Sequence, residues 1–261
     1  MLHFLGIGAQ KAGTTWLYEQ LNHHPQVTFP LGKEVHFWNR PHDAAAVNLY
    51  LNSFVHIDRN PRKSFLLVDW ITRCLIRPVP VAPSVAGEIT PAYGMLPLET
   101  IQEIHRYAPC LRLIYLIRNP IERAWSSALM ALERAEMMID EASDQWFIDH
   151  FHSAGSRQRG DYQTCLQTWR EVFSEEQLLI LRFEQIITEP ESLLNRCFQH
   201  LGVSQQVPEQ LHQWGCQVPV FAGPGYSLRP TLKPALQMLY QKQIEQLAKY
   251  LNMDLDTWLG G

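Results

Sequence analysis

This 261-residue chain contains no C-x-x-C pair, no H-E-x-x-H signature and no apolar run near the ~20 residues that a membrane span requires. Its five cysteines, Cys74, Cys110, Cys165, Cys197 and Cys216, are odd in number and widely scattered, which excludes the usual zinc and redox spacings and predicts a reducing compartment. Positive charge is not in excess. The formal net charge is -4, so an extended nucleic-acid surface is not expected, and any anion site must be focused in one pocket. The 11 histidines include His23-His24 and His150-x-His152, neither at metal-ligand spacing, so no metal is expected. Met1 leads straight into "LHFLGIGAQ" without a basic leader or a small-residue cleavage site, which makes a cytoplasmic protein without membrane attachment the expectation. No internal repeat or low-complexity tract interrupts the chain.

One further absence is more informative. Gly8 and Gly13 in "GIGAQKAGTTW" keep the G-x-x-x-x-G frame of a phosphate loop, but Thr14 stands where a Walker lysine belongs. The only nearby lysine is Lys11, inside the loop.

What is present reads as alternating strands and helices. "HFLGIG" (3–8) is a buried first strand, and from Thr14 a helix begins with Trp16, Leu17 and Leu21 on one face, stopping at "NHHP". "LRLIYLI" (111–117) has the continuous apolar, β-branched and aromatic character of a strand covered on both faces. It breaks at "RNP", where Asn119 can cap and Pro120 can open a helix running to about Met138. A helical stripe of Tyr162, Leu166, Trp169 and Phe173 precedes a further strand at 178–183. A helix from Pro190 ends at Gly202, and a last one from Pro234 carries Leu236, Leu239, Tyr240, Ile244, Leu247 and Leu251. Residues 204–233, rich in proline and glycine, read as a functional lid or a loosely ordered excursion. At 46% hydrophobic content the chain can bury one substantial core, so the expectation is a single α/β domain around a mostly parallel sheet flanked by helices.

A glycine-rich turn feeding a helix is an anion site by geometry, because the first amides of the helix point outward unpaired. Thr14 and Thr15 add hydroxyls and Lys11 adds charge. Arg118, at the end of the 111–117 strand, and Ser126, in the second turn of the following helix, can bind a second phosphate. Two such groups at the carboxyl ends of strands describe a ligand with two anionic ends.

"QKAGTTW" and "RNPIERAWS" resemble the 5′-phosphosulfate loop and the 3′-phosphate motif of sulfotransferases that use 3′-phosphoadenosine 5′-phosphosulfate, PAPS. "HHPQV", "KEVHFW" (33–38), "GEITPAYGMLP" (87–97), "RGDYQTCLQTWREVF" (159–173) and "LRFEQIITEP" (181–190) are similar, in order, to segments of the carbohydrate and heparan-sulfate-type branch, in the manner of a soluble bacterial-like member. The resemblance implies a P-loop-like sulfotransferase fold. It also implies that Lys11, Ala12, Gly13, Thr14, Thr15 and Trp16 hold the 5′-phosphosulfate while Arg118 and Ser126 hold the 3′-phosphate. Glu34 or the adjacent His36 would be the general base, and Arg229 within "GPGYSLRP" would close on the donor. PAPS would be the sulfate donor, PAP the product, and no metal would be required. The acceptor would be a carbohydrate or small metabolite, with neither a nucleic-acid nor a membrane partner, and the oligomeric state stays open.

Three departures from the pattern stand out. Ser127 and Ala128 follow Ser126 where the family has S-x-Y, Ile89 or a neighbour stands where glycosaminoglycan members often carry lysine, and the late loop lacks a basic cluster. A P-loop kinase or NTPase using Mg·ATP is the alternative, with "FLLVDW" (65–70) ending in Asp69 as its candidate metal-binding strand; a non-catalytic nucleotide-binding relative is another.

Overall fold

The computed structural model describes residues 1–55, 85–218, 220 and 225–259. Five strands, β1 (Phe4–Gly8), β2 (Val27–Thr28), β3 (Val85–Ile89), β4 (Arg112–Ile117) and β5 (Leu178–Arg182), form one all-parallel sheet in the order β2-β3-β1-β4-β5. β1 is central. Phe4 lies opposite both Gly87 of β3 and Arg112 of β4, and Leu113 lies opposite Leu178 of β5. The chain therefore builds one side of the sheet first, then crosses β1 to build the other, and the carboxyl ends of β1 and β4 meet where that direction reverses. Open α/β sheets bind ligands at such a switch point.

The burial pattern explains the strand reading. Every residue of β1 and β3, and all of β4 after Arg112, is buried, as expected of strands covered on both faces. α1 (Thr14–His23) follows β1, and the short α2 (Ala44–Asn52) is capped by Asp43, whose Oδ1 accepts from the Ala46 amide at 2.8 Å. α3 (Leu98–Tyr107) precedes β4, and α4 (Pro120–Arg134) follows it. Then come α5 (Asp144–His152), α6 (Ala154–Gly160) and α7 (Tyr162–Arg170) before β5, and α8 (Gln185–Thr188), α9 (Pro190–Leu201), α10 (Pro208–Gln213) and α11 (Lys233–Leu251) after it. No described helix is long and apolar enough to cross a membrane.

Most expected elements are present, with shifted ends. Asn119 caps α4 as predicted, its Oδ1 accepting from the Ile121 amide at 3.0 Å, and Gly202 closes α9 at φ 70°. α4 ends at Arg134 and not near Met138. Glu136 turns left-handed at φ 53°, and the Met137 amide closes back on the Leu132 carbonyl at 3.0 Å. That is a helix-ending geometry usually signalled by glycine, and a glutamate in that role gives the sequence no such signal. Phe173 lies beyond α7 but is buried in the core as its stripe predicted. The segment "FLLVDW" with Asp69, like Cys74, lies outside the described residues.

The 204–233 region is anchored over its described part. It contains α10, and the Ser204 carbonyl and amide bond to His24 and Gln26 at 2.8 and 2.7 Å. Cys165, Cys197 and Cys216 are buried free thiols and Cys110 is an exposed one.

Candidate active site

β1 runs into the loop 9–13, and Gly13 begins α1 in the left-handed region at φ 85° with no side chain capping the helix. The position admits little besides glycine. A Cβ there would sit 2.4 Å from Ile186 Cδ1 and 3.0 Å from Phe183 Cδ2, on top of the unfavourable backbone. The first turn of α1 carries no acidic residue, so its unpaired amides and the Thr14 and Thr15 hydroxyls present an uncompensated positive end.

Lys11 is itself left-handed at φ 66° and forms no ion pair among the described residues. Burial pushes its ammonium below the ordinary value, Arg118 pushes the same way by repulsion, Glu133 opposes, and Arg134 repels. A cation held in that way gains from a bound anion.

Arg118 leaves the end of β4 and joins the two halves of the site. Its Nη1 donates to the Lys11 carbonyl at 3.1 Å, its Nη2 pairs with Glu122 Oε2 at 3.1 Å, and its guanidinium lies 4.2 Å over the Phe183 ring. Tyr162 donates its hydroxyl to the Arg118 carbonyl at 2.9 Å, fixing the strand end. Ser126 is partly exposed on α4. The structure thus brings Lys11, Gly13, Thr14, Thr15 and Arg118 to one end of the sheet, with Ser126 two turns into the helix beside them.

Two other predicted residues sit differently. Trp16 is buried, and its indole N–H donates to the Cys216 carbonyl at 2.9 Å. Trp125, beside Ser126, donates likewise to the Tyr226 carbonyl at 2.7 Å. Each tryptophan next to a predicted anion-binding residue thereby holds one point of the late segment. Arg229 reaches Asp144 Oδ1 and the Ile139 carbonyl, each at 2.7 Å, and lies 4.7 Å over Phe147. Its guanidinium is occupied against α5, so any part in ligand binding requires exchanging those contacts.

Glu34 and His36 share one short segment, both at φ 58°. The Glu34 amide donates to the Ile89 carbonyl at 2.9 Å, which sets the segment against the end of β3. The Lys33 ammonium contacts Glu34 Oε1, while Oε2 faces His36 Nε2 at 4.0 Å. Asn39 Nδ2 lies within hydrogen-bond distance of His36 Nδ1, at 3.2 Å. Trp38, Tyr93 and Tyr162 are buried in the core.

Sequence reasoning missed Glu88. It is fully buried on β3 and accepts from Tyr50 OH at 2.5 Å, Thr90 Oγ1 at 2.8 Å and Tyr93 OH at 2.9 Å. Burial raises its carboxyl above the ordinary value, and these bonds, with the nearby Val35 amide, pull it back. An acid inside the buried strand "VAGEI" was the available signal. Among the described residues no cluster could hold a metal ion. A cavity of about 180 Å³ lies between α7 and α11, lined by Tyr162, Gln163, Gln243 and Leu247, with no residue of the loop 9–13 in its wall. Beside the loop itself lies a niche of about 10 Å³, formed by Ala9, Gln10, Gly94 and Arg159 among others.

The sulfotransferase domain model matches residues 3–218. The chain belongs to the sulfotransferase family. Mouse carbohydrate sulfotransferase 15 is 27% identical over 77% of this chain and 44% of its own length. Mouse heparan sulfate glucosamine 3-O-sulfotransferase 6 is 25% identical over 78% of this chain and 53% of its own. The chain thus spans about half the length of these curated relatives. A sulfotransferase from Alicyclobacillus acidocaldarius superposes with a TM-score of 0.65 at 24% identity, covering 99% of this chain and 98% of the other. Mouse sulfotransferase SULT7A1, solved with PAP, gives a TM-score of 0.57 at 14% identity over 95% and 89% of the two chains. These likenesses establish the sulfotransferase fold for the parallel sheet and its flanking helices.

Proposed function

We propose that this chain, acting as one catalytic domain, transfers a sulfuryl group from PAPS to a hydroxyl or amine of a carbohydrate or small metabolite, with PAP as the product. The observation that carries this reading is the Arg118–Lys11 hydrogen bond, which ties two anion-binding elements at neighbouring strand ends into one site. The residues present fit a bisphosphate nucleotide. Unpaired helix amides, two threonine hydroxyls and a lysine without an ion pair among the described residues meet one anionic end, and Arg118 with Ser126 meets the other. Ala12 and Gly13 contribute backbone, and Trp16 supports the helix from behind. The carbohydrate class rests on the curated relatives' names.

Bound there, the donor supplies an activated sulfuryl group with a phosphate as leaving group. Lys11 stabilises the negative charge that grows on the departing oxygen, and the α1 amides share that work without needing reorganisation. Arg118 and Ser126 fix the distant end, converting binding into orientation. The acceptor must lose a proton. His36 Nδ1 is engaged by Asn39, whereas Glu34 Oε2 sits on a half-exposed side chain, so we assign Glu34 as the base with His36 beside it.

Labelled sulfate transfer from PAPS to a panel of glucosamine- and galactosamine-containing oligosaccharides and simple alcohols tests this reading. Transfer to at least one acceptor, together with thermal stabilisation by PAP under EDTA, is expected. Stabilisation by Mg·ATP alone, with no transfer, would favour the kinase reading.

A further inference from the structure

Segment 33–38 carries the reacting side chains but does little to hold its own shape. Glu34 and His36 both adopt left-handed backbone, an unfavourable state for non-glycine residues that persists only where surroundings over-determine it. What surrounds it traces to Glu88. The Glu88 carboxylate accepts from Tyr93 OH and is favoured by the nearby Val35 amide, and the Tyr93 oxygen accepts in turn from the Phe37 amide at 2.9 Å and the Trp38 amide at 3.4 Å. The Glu34 amide is taken by Ile89, the next residue along the strand. Tyr50, which donates to Glu88 at 2.5 Å, also stacks its ring on Phe37 at 4.2 Å and 6°.

We infer that Glu88 is a positioning residue for transfer: its buried carboxylate shapes the backbone of segment 33–38 and so aims Glu34 at the acceptor, without itself touching donor or acceptor. The inference rests on the reading of Glu34 as the base. The chemistry of the network asks for a carboxylate in particular. An ionised carboxylate only accepts, and the groups around it are donors, among them a main-chain amide that cannot reverse its role. An amide at the same position turns an N–H₂ group toward one of those donors, and because Tyr93 already accepts from Phe37 the mismatch passes to the segment's backbone. Tyr93 and Ile89 link the carboxylate and its strand to segment 33–38, so Glu88 acts at the site through the main chain of its neighbours.

Glu88→Gln tests this, with Tyr93→Phe as a second variant that keeps the carboxylate and removes the acceptor of the Phe37 amide. Hydrogen exchange of the Val35 and Phe37 amides is read first in the whole protein, and Glu88→Gln is expected to speed it by about tenfold or more with the core strands unchanged. PAP affinity should stay within about twofold while kcat, for PAPS and whichever acceptor of the panel is used, falls by about tenfold or more. The deciding measurement combines Glu88→Gln with Glu34→Gln: a residue acting through Glu34 adds little once Glu34 is gone. An equal loss of kcat in both backgrounds, unchanged exchange in the segment, or a parallel loss of PAP affinity overturns the inference. If wild-type protein binds no PAP and transfers no sulfate, the proposed function fails instead, and unchanged or accelerated exchange still decides whether Glu88 shapes the segment.

Discussion

The loop 9–13 and the segment 33–38 both force non-glycine residues into left-handed backbone, Lys11 at φ 66° and Glu34 and His36 at φ 58°, but they are held by different means. The loop is shaped by the strand that enters it, the helix that leaves it and a glycine packed against Ile186 and Phe183. The segment is shaped from a distance, by Tyr50, Glu88 and Tyr93 on other elements. An anion site made of backbone needs only a short stretch of chain to exist. A base aimed by side chains depends on several elements folding together, so it is the part of the site that remote substitutions disturb.

The largest expected effect comes from breaking the local device. Gly13→Ala adds a Cβ 2.4 Å from Ile186 at φ 85° and should cost about 2–4 kcal/mol in urea unfolding while abolishing PAP binding. A loss below about 0.5 kcal/mol would show that the loop is softer than described. Next, Lys11→Ala should lower turnover about 10²–10³-fold with a much smaller loss of PAP affinity, because its charge answers a leaving group that exists only during transfer. Equal losses in both would make Lys11 a simple binding residue.

The segment gives smaller numbers. Glu34→Gln should reduce kcat by about 10²-fold and leave PAP binding intact, whereas His36→Gln should cost about tenfold at most. A reversed order would make His36 the base.

The smallest effect lies away from both regions. His200 donates to the Leu113 carbonyl at 3.0 Å, and burial, with Arg112 adding repulsion, holds its pKa down to about 4. A depressed histidine pKa means that the unfolded chain takes up the proton first. Stability should therefore be intact above the ordinary value of 6.5 and should decline as pH falls from there toward about 4. His200→Gln should flatten that decline in thermal melts; an unaltered slope would assign it to other groups.

How much of this the sequence disclosed follows the same division. The loop 9–13, β4 with its Asn119 cap, and α9 with its Gly202 stop were legible because their signals lie within a few residues of what they specify. Glu136 was not, since a glutamate took the place of glycine at a helix end. α2, α5 and α6 were not identified, being short helices whose place is set by packing and not by a long periodic stripe. Arg118 was legible as a cation at the end of its strand, whereas its ion pair with Glu122 and its hydrogen bond to the Lys11 carbonyl are visible only in the fold. The contacts that Trp16 makes with Cys216 and Arg229 with Asp144 are tertiary and leave no mark in local pattern. Glu88 was visible only as an acid in an apolar strand, a clue that needs the surrounding donors to be interpreted.

The account turns on one nucleotide being gripped at both ends by this chain's own backbone amides, lysine, arginine and serine. Calorimetric titration of the intact protein with PAP in EDTA measures that directly. Saturable binding at one site, weakened by about tenfold or more in Arg118→Ala and again in Ser126→Ala, is the expected result. No heat of binding, or binding indifferent to both substitutions, would contradict it.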